Sequence, residues 1–448
     1  MKAGFAVGDI TPELGIYLTG YGHPERLAEG VHSPLLATAM VLADGDVEAA
    51  VVSLDWCGMP NELASDMRRA VGDATGIPAD HILVCCTHTH SAPNTSSRRT
   101  LGRTDVDPEH RGEAYARRSI PTIADTVRRA KDAMREAVAG FGVTTSRIGV
   151  SRRGMDENGK VSRFIADPYQ SCDDHLTAVR FRDRETGGDL GIFLHYGCHN
   201  TSMGLSRLIS SDWCGVMRER VGEACHTTVM FVNGAFGDVG PNTNRPIKAE
   251  GIFGYSAGAG DGERSAAEVG LRAATDALRA LDGIRDFRAD LPLRVRTQEI
   301  RMPHSLPFDE ATARERVRRF EEDGTAIPEI DYLVAKRVLE HWHLPPEPEK
   351  VFEQTVLAFG PAALAPFPFE MFSVFSLRLR KYGPFAYNLL CGSTNGGNGY
   401  LPDRASIAAG GYEVMWRERG RAYVLDPEAG DLAVTQTLAS LRKLAAES

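Results

Sequence analysis

The chain has 448 residues, 42% of them hydrophobic and 25% charged, the composition of a folded globular protein with ample material for a large core. Its formal net charge of -9 speaks against nucleic-acid binding, because neutralising phosphates requires a basic face and no basic block is present. No run of 18 apolar residues occurs, and the N-terminal MKAGFAVGDITPELG lacks the apolar core of a secretion signal, so a cytoplasmic chain without a membrane span is expected.

Taken in order, short β-branched or apolar runs at 35–44 and 49–56 read as strands, followed by a helical stretch at 61–74 and a strand at 81–86. A helical pattern covers 112–139, with Pro121 expected to start or kink a helix. Strands at 177–183, 190–197 and 227–234 alternate with helices at 211–224 and 264–281. Ser210-Ser211-Asp212 reads as the N-cap of the first of these helices. Helices at 308–322 and 329–342 fall within a charged, proline-bounded segment, 303–350, that reads as a helical insertion. Strands at 354–360 and 387–393 and helices at 370–381 and 430–446 complete the pattern. The alternation predicts an α/β fold with a mixed-sheet core flanked by helices. Without an internal repeat, low-complexity tract or long linker, 1–448 reads as one domain. The eight cysteines form no CxxC pair and lie largely in apolar runs, as reduced, buried thiols do.

Two strand exits carry histidine. In Cys86-Thr87-His88-Thr89-His90-Ser91-Ala92-Pro93-Asn94, residues two apart in an extended chain project together, so His88 and His90 leave the strand on one face. That is the end at which open α/β sheets bind ligands. The HxH spacing alone fits two surface histidines equally well. His195-Tyr196-Gly197-Cys198-His199-Asn200 repeats the layout, with His199 at the exit and His195 read as a packed or supporting residue. A Gly- and Asn-rich loop, Asn233 to Asn242, follows a third strand and suits either backbone donors to an oxyanion or a plain turn. Two histidines leave a hydrolytic zinc short of ligands. Glu370, in the apolar APFPFEMFSVF, is the outstanding carboxylate, since burying it calls for a cation or strong donors nearby, although a glutamate favoured by a helix N-terminus fits too.

These motifs, in this order, resemble the neutral/alkaline non-lysosomal ceramidase family. The matching stretches are AGFAVGDITP, GYG with GVHSPLLATAMVL, VVSLDWCGM, THTHSAPN, GCHNTSMG with LISSDWCG, FVNGAFGDVGPN, FPFEMF, and STNGGNGYLP with GGYE. The resemblance implies one zinc per chain held by His88, His199, Glu370 and Tyr400. It also implies that His90 acts in acid/base chemistry and that Arg152 faces the substrate, with Arg153 as the alternative register. Asp55, Asn233 and Asp238 are expected as supporting or loop residues. Gly240 stands where the family's GDVSPN serine would be, which excludes a mechanism needing that hydroxyl.

The chain ends soon after GGYE, without the family's C-terminal immunoglobulin-like domain, and no secretion signal is evident. The expected activity is therefore zinc-dependent hydrolysis of an amide in a small soluble substrate, with neither a nucleic-acid partner nor a membrane span. Esterase or lactonase chemistry and a non-catalytic metal- or ligand-binding scaffold are the alternatives. The sequence leaves oligomeric state unassigned.

Overall fold

The structure is a computed structural model, and it describes residues 1–21, 26–96, 107, 109–243, 262–327, 329–414 and 423–447. Its largest sheet has nine strands. Eight run across it in the order Val229–Asn233, Asp189–Tyr196, His175–Asp183, Arg135–Thr145, Lys2–Asp9, Leu36–Asp44, Val47–Leu54 and Ile82–Cys86, and Phe287–Arg288 pairs with Arg135–Thr145 off this path. The interior pairings of this path are antiparallel, whereas each outermost pair is parallel. A parallel neighbour requires a crossover, and helices Asn61–Thr75 and Asp212–Cys225 supply the two crossovers.

The sheet coils until its two edges face each other. Ser53 Oγ donates to the Phe231 carbonyl at 2.5 Å, Asn233 Nδ2 donates to the Thr87 carbonyl at 2.9 Å, and Thr89 bridges to Asn200. Two strand exits distant in sequence thus stand side by side.

A five-stranded sheet packs on the first, in the order Tyr387–Cys391, Ala362–Pro366, Glu349–Phe359, Leu293–Ser305 and Val424–Leu425. Leu293, Leu357, Phe359 and Leu389 from this sheet share one buried cluster with Val51, Leu83, Phe181 and Met230 from the other. The expected mixed α/β architecture is what the structure has. The segment 303–350 is helical between two strand ends: helices Glu310–Glu322 and Glu329–His341 join the long hairpin of Leu293–Ser305 and Glu349–Phe359.

Several local expectations are corrected. Helix Arg111–Asp132 runs on through Pro121, and the expected helical tail to residue 139 is the beginning of strand Arg135–Thr145. Glu370 belongs to the two-residue strand Glu370–Met371, not to the helix, which starts at Ser373. Ser211 makes no side-chain cap. Asp212 instead turns its carboxylate back to the amides of Ser202 and Met203, at 3.1 and 2.8 Å, tying the loop after His199 to the helix.

Candidate metal centre

His88 leaves strand Ile82–Cys86 in a left-handed conformation, φ 68°, held by its amide on the Trp56 carbonyl and by Nδ1 donating to the Cys57 carbonyl at 2.5 Å. His199 follows strand Asp189–Tyr196, and its Nδ1 donates to the carbonyls of Phe236 and Val239 at 2.8 and 3.0 Å. In both rings the backbone takes the Nδ1 proton and leaves Nε2 as the lone-pair nitrogen. Glu370 follows strand Ala362–Pro366 of the second sheet and lies in a separate two-stranded pair. Its strand pairs in parallel with Tyr400–Leu401, and its amide donates to Gly399 at 2.9 Å.

The three side chains converge. Glu370 Oε2 is 3.5 Å from His88 Nε2 and 3.3 Å from His199 Nε2. Bonds of about 2 Å to a tetrahedral ion put neighbouring ligand atoms roughly 3.3 Å apart, which matches these separations. Burial, the dominant cause, pushes the His88 pKa down to about 4 and that of His199 well below the usual value. Neutral imidazoles are the form that binds metals. Among the described residues, His199 Nε2 and Glu370 Oε2 are buried without a hydrogen-bond partner, an arrangement costing about 1–3 kcal/mol for each such atom. A divalent cation satisfies both atoms together with His88 Nε2, so the residues present fit one.

Around these ligands the polar groups are arranged differently from the sequence expectation. Arg152 is buried on strand Gly149–Met155, and its donors engage protein groups: Nε reaches Glu413 Oε1, and Nη2 reaches the Gly237 carbonyl and the Tyr400 hydroxyl, each at 2.9 Å. Arg153 Nη1 takes the other Glu413 oxygen at 2.7 Å. Glu413, fully buried between two guanidiniums, is the residue the sequence reading missed, and its only signal was its place in GGYE.

Tyr400 thus meets the site through its register with Glu370 and through Arg152. Its ring lies 6.4 Å from that of His199 and 6.2 Å from that of Tyr412. Burial raises the Tyr400 phenol well above its usual pKa, and the charge of Arg152 counters part of that rise.

His90 sits beside the centre with its ring 4.9 Å from His88 and 4.8 Å from Tyr21. Neither ring nitrogen has a partner among the described residues, and burial together with the neighbouring histidines drives its pKa well below normal. Gly20 makes room for this ring: with φ 101°, a Cβ there would fall 2.3 Å from His90 Cγ. That accounts for the glycine that opens GYG.

Asp55 and Asp238 do not touch the histidines, whose partners are backbone carbonyls. Asp55 instead binds Thr87 Oγ1 and the buried Arg218, at 3.2 and 2.6 Å. Asp238 accepts from the amide and hydroxyl of Ser373, and burial lifts its pKa to about 6. Asn233 organises the loop by accepting from the Cys198 amide while donating to Thr87 and Cys198 carbonyls. His195 is packed away, bonded to the Leu390 carbonyl at 2.7 Å. At Gly240 a Cβ would make ordinary 3.6 Å contacts with Arg152, so the glycine leaves open space above that side chain.

The N-terminal part of the chain matches a known family: residues 1–259 fit the family of neutral/alkaline non-lysosomal ceramidases, N-terminal. The chain belongs to that family. The neutral ceramidases of Drosophila pseudoobscura pseudoobscura and Drosophila melanogaster are each 25% identical to it over 266 residues, 55% of this chain and 36% of theirs. The match therefore spans little more than a third of these relatives' length. The crystal structure of neutral ceramidase from Pseudomonas aeruginosa superposes on all of this chain and 74% of its own, with a TM-score of 0.74 at 18% identity. A structure of ceramidase complexed with C2 does so with the same score and identity over 75% of its length. At that identity the likeness is one of fold. The ceramidase-family match includes His88, His90, Arg152 and His199 but ends before Glu370 and Tyr400; the geometry brings Glu370 to the two histidines and pairs Tyr400 with Glu370.

Proposed function

We propose that the chain is a metal-dependent amidohydrolase that holds one zinc ion on His88, His199, Glu370 and Tyr400 and cleaves the N-acyl bond of a small substrate. The observation carrying this reading is the convergence of two neutral imidazole nitrogens and one carboxylate oxygen with no hydrogen bond to satisfy them. Family membership supports the amide-bond chemistry. A bound zinc ion supplies Lewis acidity, polarising a carbonyl and lowering the pKa of water to roughly 7.

The chain's own groups do the rest. His90, without hydrogen-bond partners among the described residues, takes on a ring nitrogen the proton that water loses as it adds to the amide carbonyl, and passes it to the amine nitrogen as the C–N bond breaks. Arg152 works at one remove, donating from Nη2 to the Tyr400 hydroxyl and fixing its orientation, while Glu413 fixes Arg152. A cavity of about 250 Å³ opens on His88 and Glu370 and is lined also by Thr19, Met59, Thr95 and Asn398. Its mixture of hydroxyl, amide and apolar groups suits a small substrate that carries polar groups. Among the described residues no helix is long and apolar enough to cross a membrane.

A panel of paired N-acyl amides and esters of graded chain length tests the proposal. Metal-dependent turnover is expected to favour short-chain amides, and chelation is expected to abolish it. Turnover that survives complete metal removal, or that is confined to esters, would sink the proposal.

A further inference from the structure

Beside the three converging ligands lies a sulfur that the proposed chemistry does not use. Cys57 follows strand Val47–Leu54 and lines the cavity onto which His88 and Glu370 open. Its Sγ stands 3.9 Å from His88 Nδ1. One ligand atom from each of Cys57, His88 and His90 lies within 4.8 Å of the others, a second cluster that shares only His88 with the first. His90 is 8% exposed, and both its ring nitrogens lack partners among the described residues. An imidazole so buried and unpaired, close to a thiol, has the chemistry of a soft-metal ligand pair.

We propose that Cys57 Sγ and His90 form a second cation position, adjoining the first through His88, which takes soft divalent ions such as cadmium. When an ion enters, the S–H bond breaks, its proton passes to solvent and the sulfur pair forms the S–metal bond, with no change of oxidation state. Nδ1 of His88, the ring nitrogen near the sulfur, is committed to the Cys57 carbonyl, and Nε2 faces Glu370, so Cys57 and His90 are the groups left to hold an ion at the second position. An ion there engages His90 and removes it from proton transfer. Soft ions act there as inhibitors, whereas hard oxygen-seeking ions such as magnesium pass the position by.

The inference rests on the first centre only through the shared His88, and the experiment separates the two. Cadmium is titrated into the full chain while the ultraviolet thiolate-to-cadmium charge-transfer band is recorded, with zinc content measured on the same samples. The expected result is a band saturating at one cadmium per chain in the wild type. Cys57→Ser is expected to lose this band while retaining one zinc, and His90→Gln is expected to shift the titration midpoint at least tenfold upward. A band undiminished in zinc-retaining Cys57→Ser, carried by another cysteine, would overturn the second position and leave the first standing. Failure of the wild type to bind zinc would instead count against the first centre.

Discussion

The two halves of the candidate centre are held in opposite ways. His88 and His199 are fixed by backbone: their Nδ1 atoms donate to the carbonyls of Cys57, Phe236 and Val239, and the coiled sheet brings their strands together. Glu370 and Tyr400 sit on a strand pair of two residues each, and the Tyr400 hydroxyl depends on the buried Arg152–Glu413–Arg153 cluster. Backbone carbonyls survive substitution of their own side chains, whereas an ionic cluster fails when one member is changed. The first half should therefore be sensitive only at the histidines themselves, and the second at residues that never reach the metal.

The largest effect is expected at the histidines. His199→Ala should abolish turnover and zinc retention together while leaving the fold, read by circular dichroism, in place. Next is Glu413→Gln, which leaves two buried guanidiniums short of a counter-charge. It should cost about 3–5 kcal/mol in chemical denaturation and lower zinc affinity as Tyr400 loses its brace.

A further contact clamps the Glu370 half to the first sheet: Asp173, just before strand His175–Asp183, binds Ser376 and Arg380 of the helix that follows Glu370. Burial opposes its ionisation, but His175, Arg380 and Ser376 outweigh burial and hold its pKa below the carboxylate norm of 3.8. A depressed acid stabilises the fold above its unfolded pKa, and that contribution is lost as pH falls below about 4. Asp173→Asn should therefore cost about 2–3 kcal/mol at pH 7 and progressively less on acidification, as followed by denaturation at several pH values. The smallest effect is expected for Arg152→Lys, which keeps the charge but cannot donate to Glu413, Gly237 and Tyr400 together. Zinc affinity should fall roughly tenfold with little loss of stability.

The same contrast governs what could be read in the sequence. His88 and His199 announce themselves because a strand exit is a local pattern of an apolar run, then a polar loop, with histidine at the junction. Glu370 stood out through its apolar neighbours, yet its short strand was invisible, since two residues carry no periodicity. Glu413 is completely buried by partners far away in the chain, and nothing within GGYE marks that. Arg152 was found by motif, but a motif locates a residue without saying that its donors also reach Glu413, Gly237 and Tyr400. Residues 135–139, the start of strand Arg135–Thr145, were read as helix because Arg135-Glu136-Ala137 continues the composition of the helix before it, and only the tertiary pairing with His175–Asp183 decides otherwise. Asp55 and Asp238 were read as supporting or loop residues, and the choice is settled only in three dimensions, where carbonyl oxygens hold the histidine rings.

The most direct measurement is an anomalous difference map, collected at the zinc edge, from crystals of the zinc-loaded chain. The account predicts a single peak within bonding distance of His88 Nε2, His199 Nε2 and Glu370 Oε2, and the Tyr400 oxygen beside it. A peak remote from those atoms, or no peak in crystals grown with excess zinc, would contradict it.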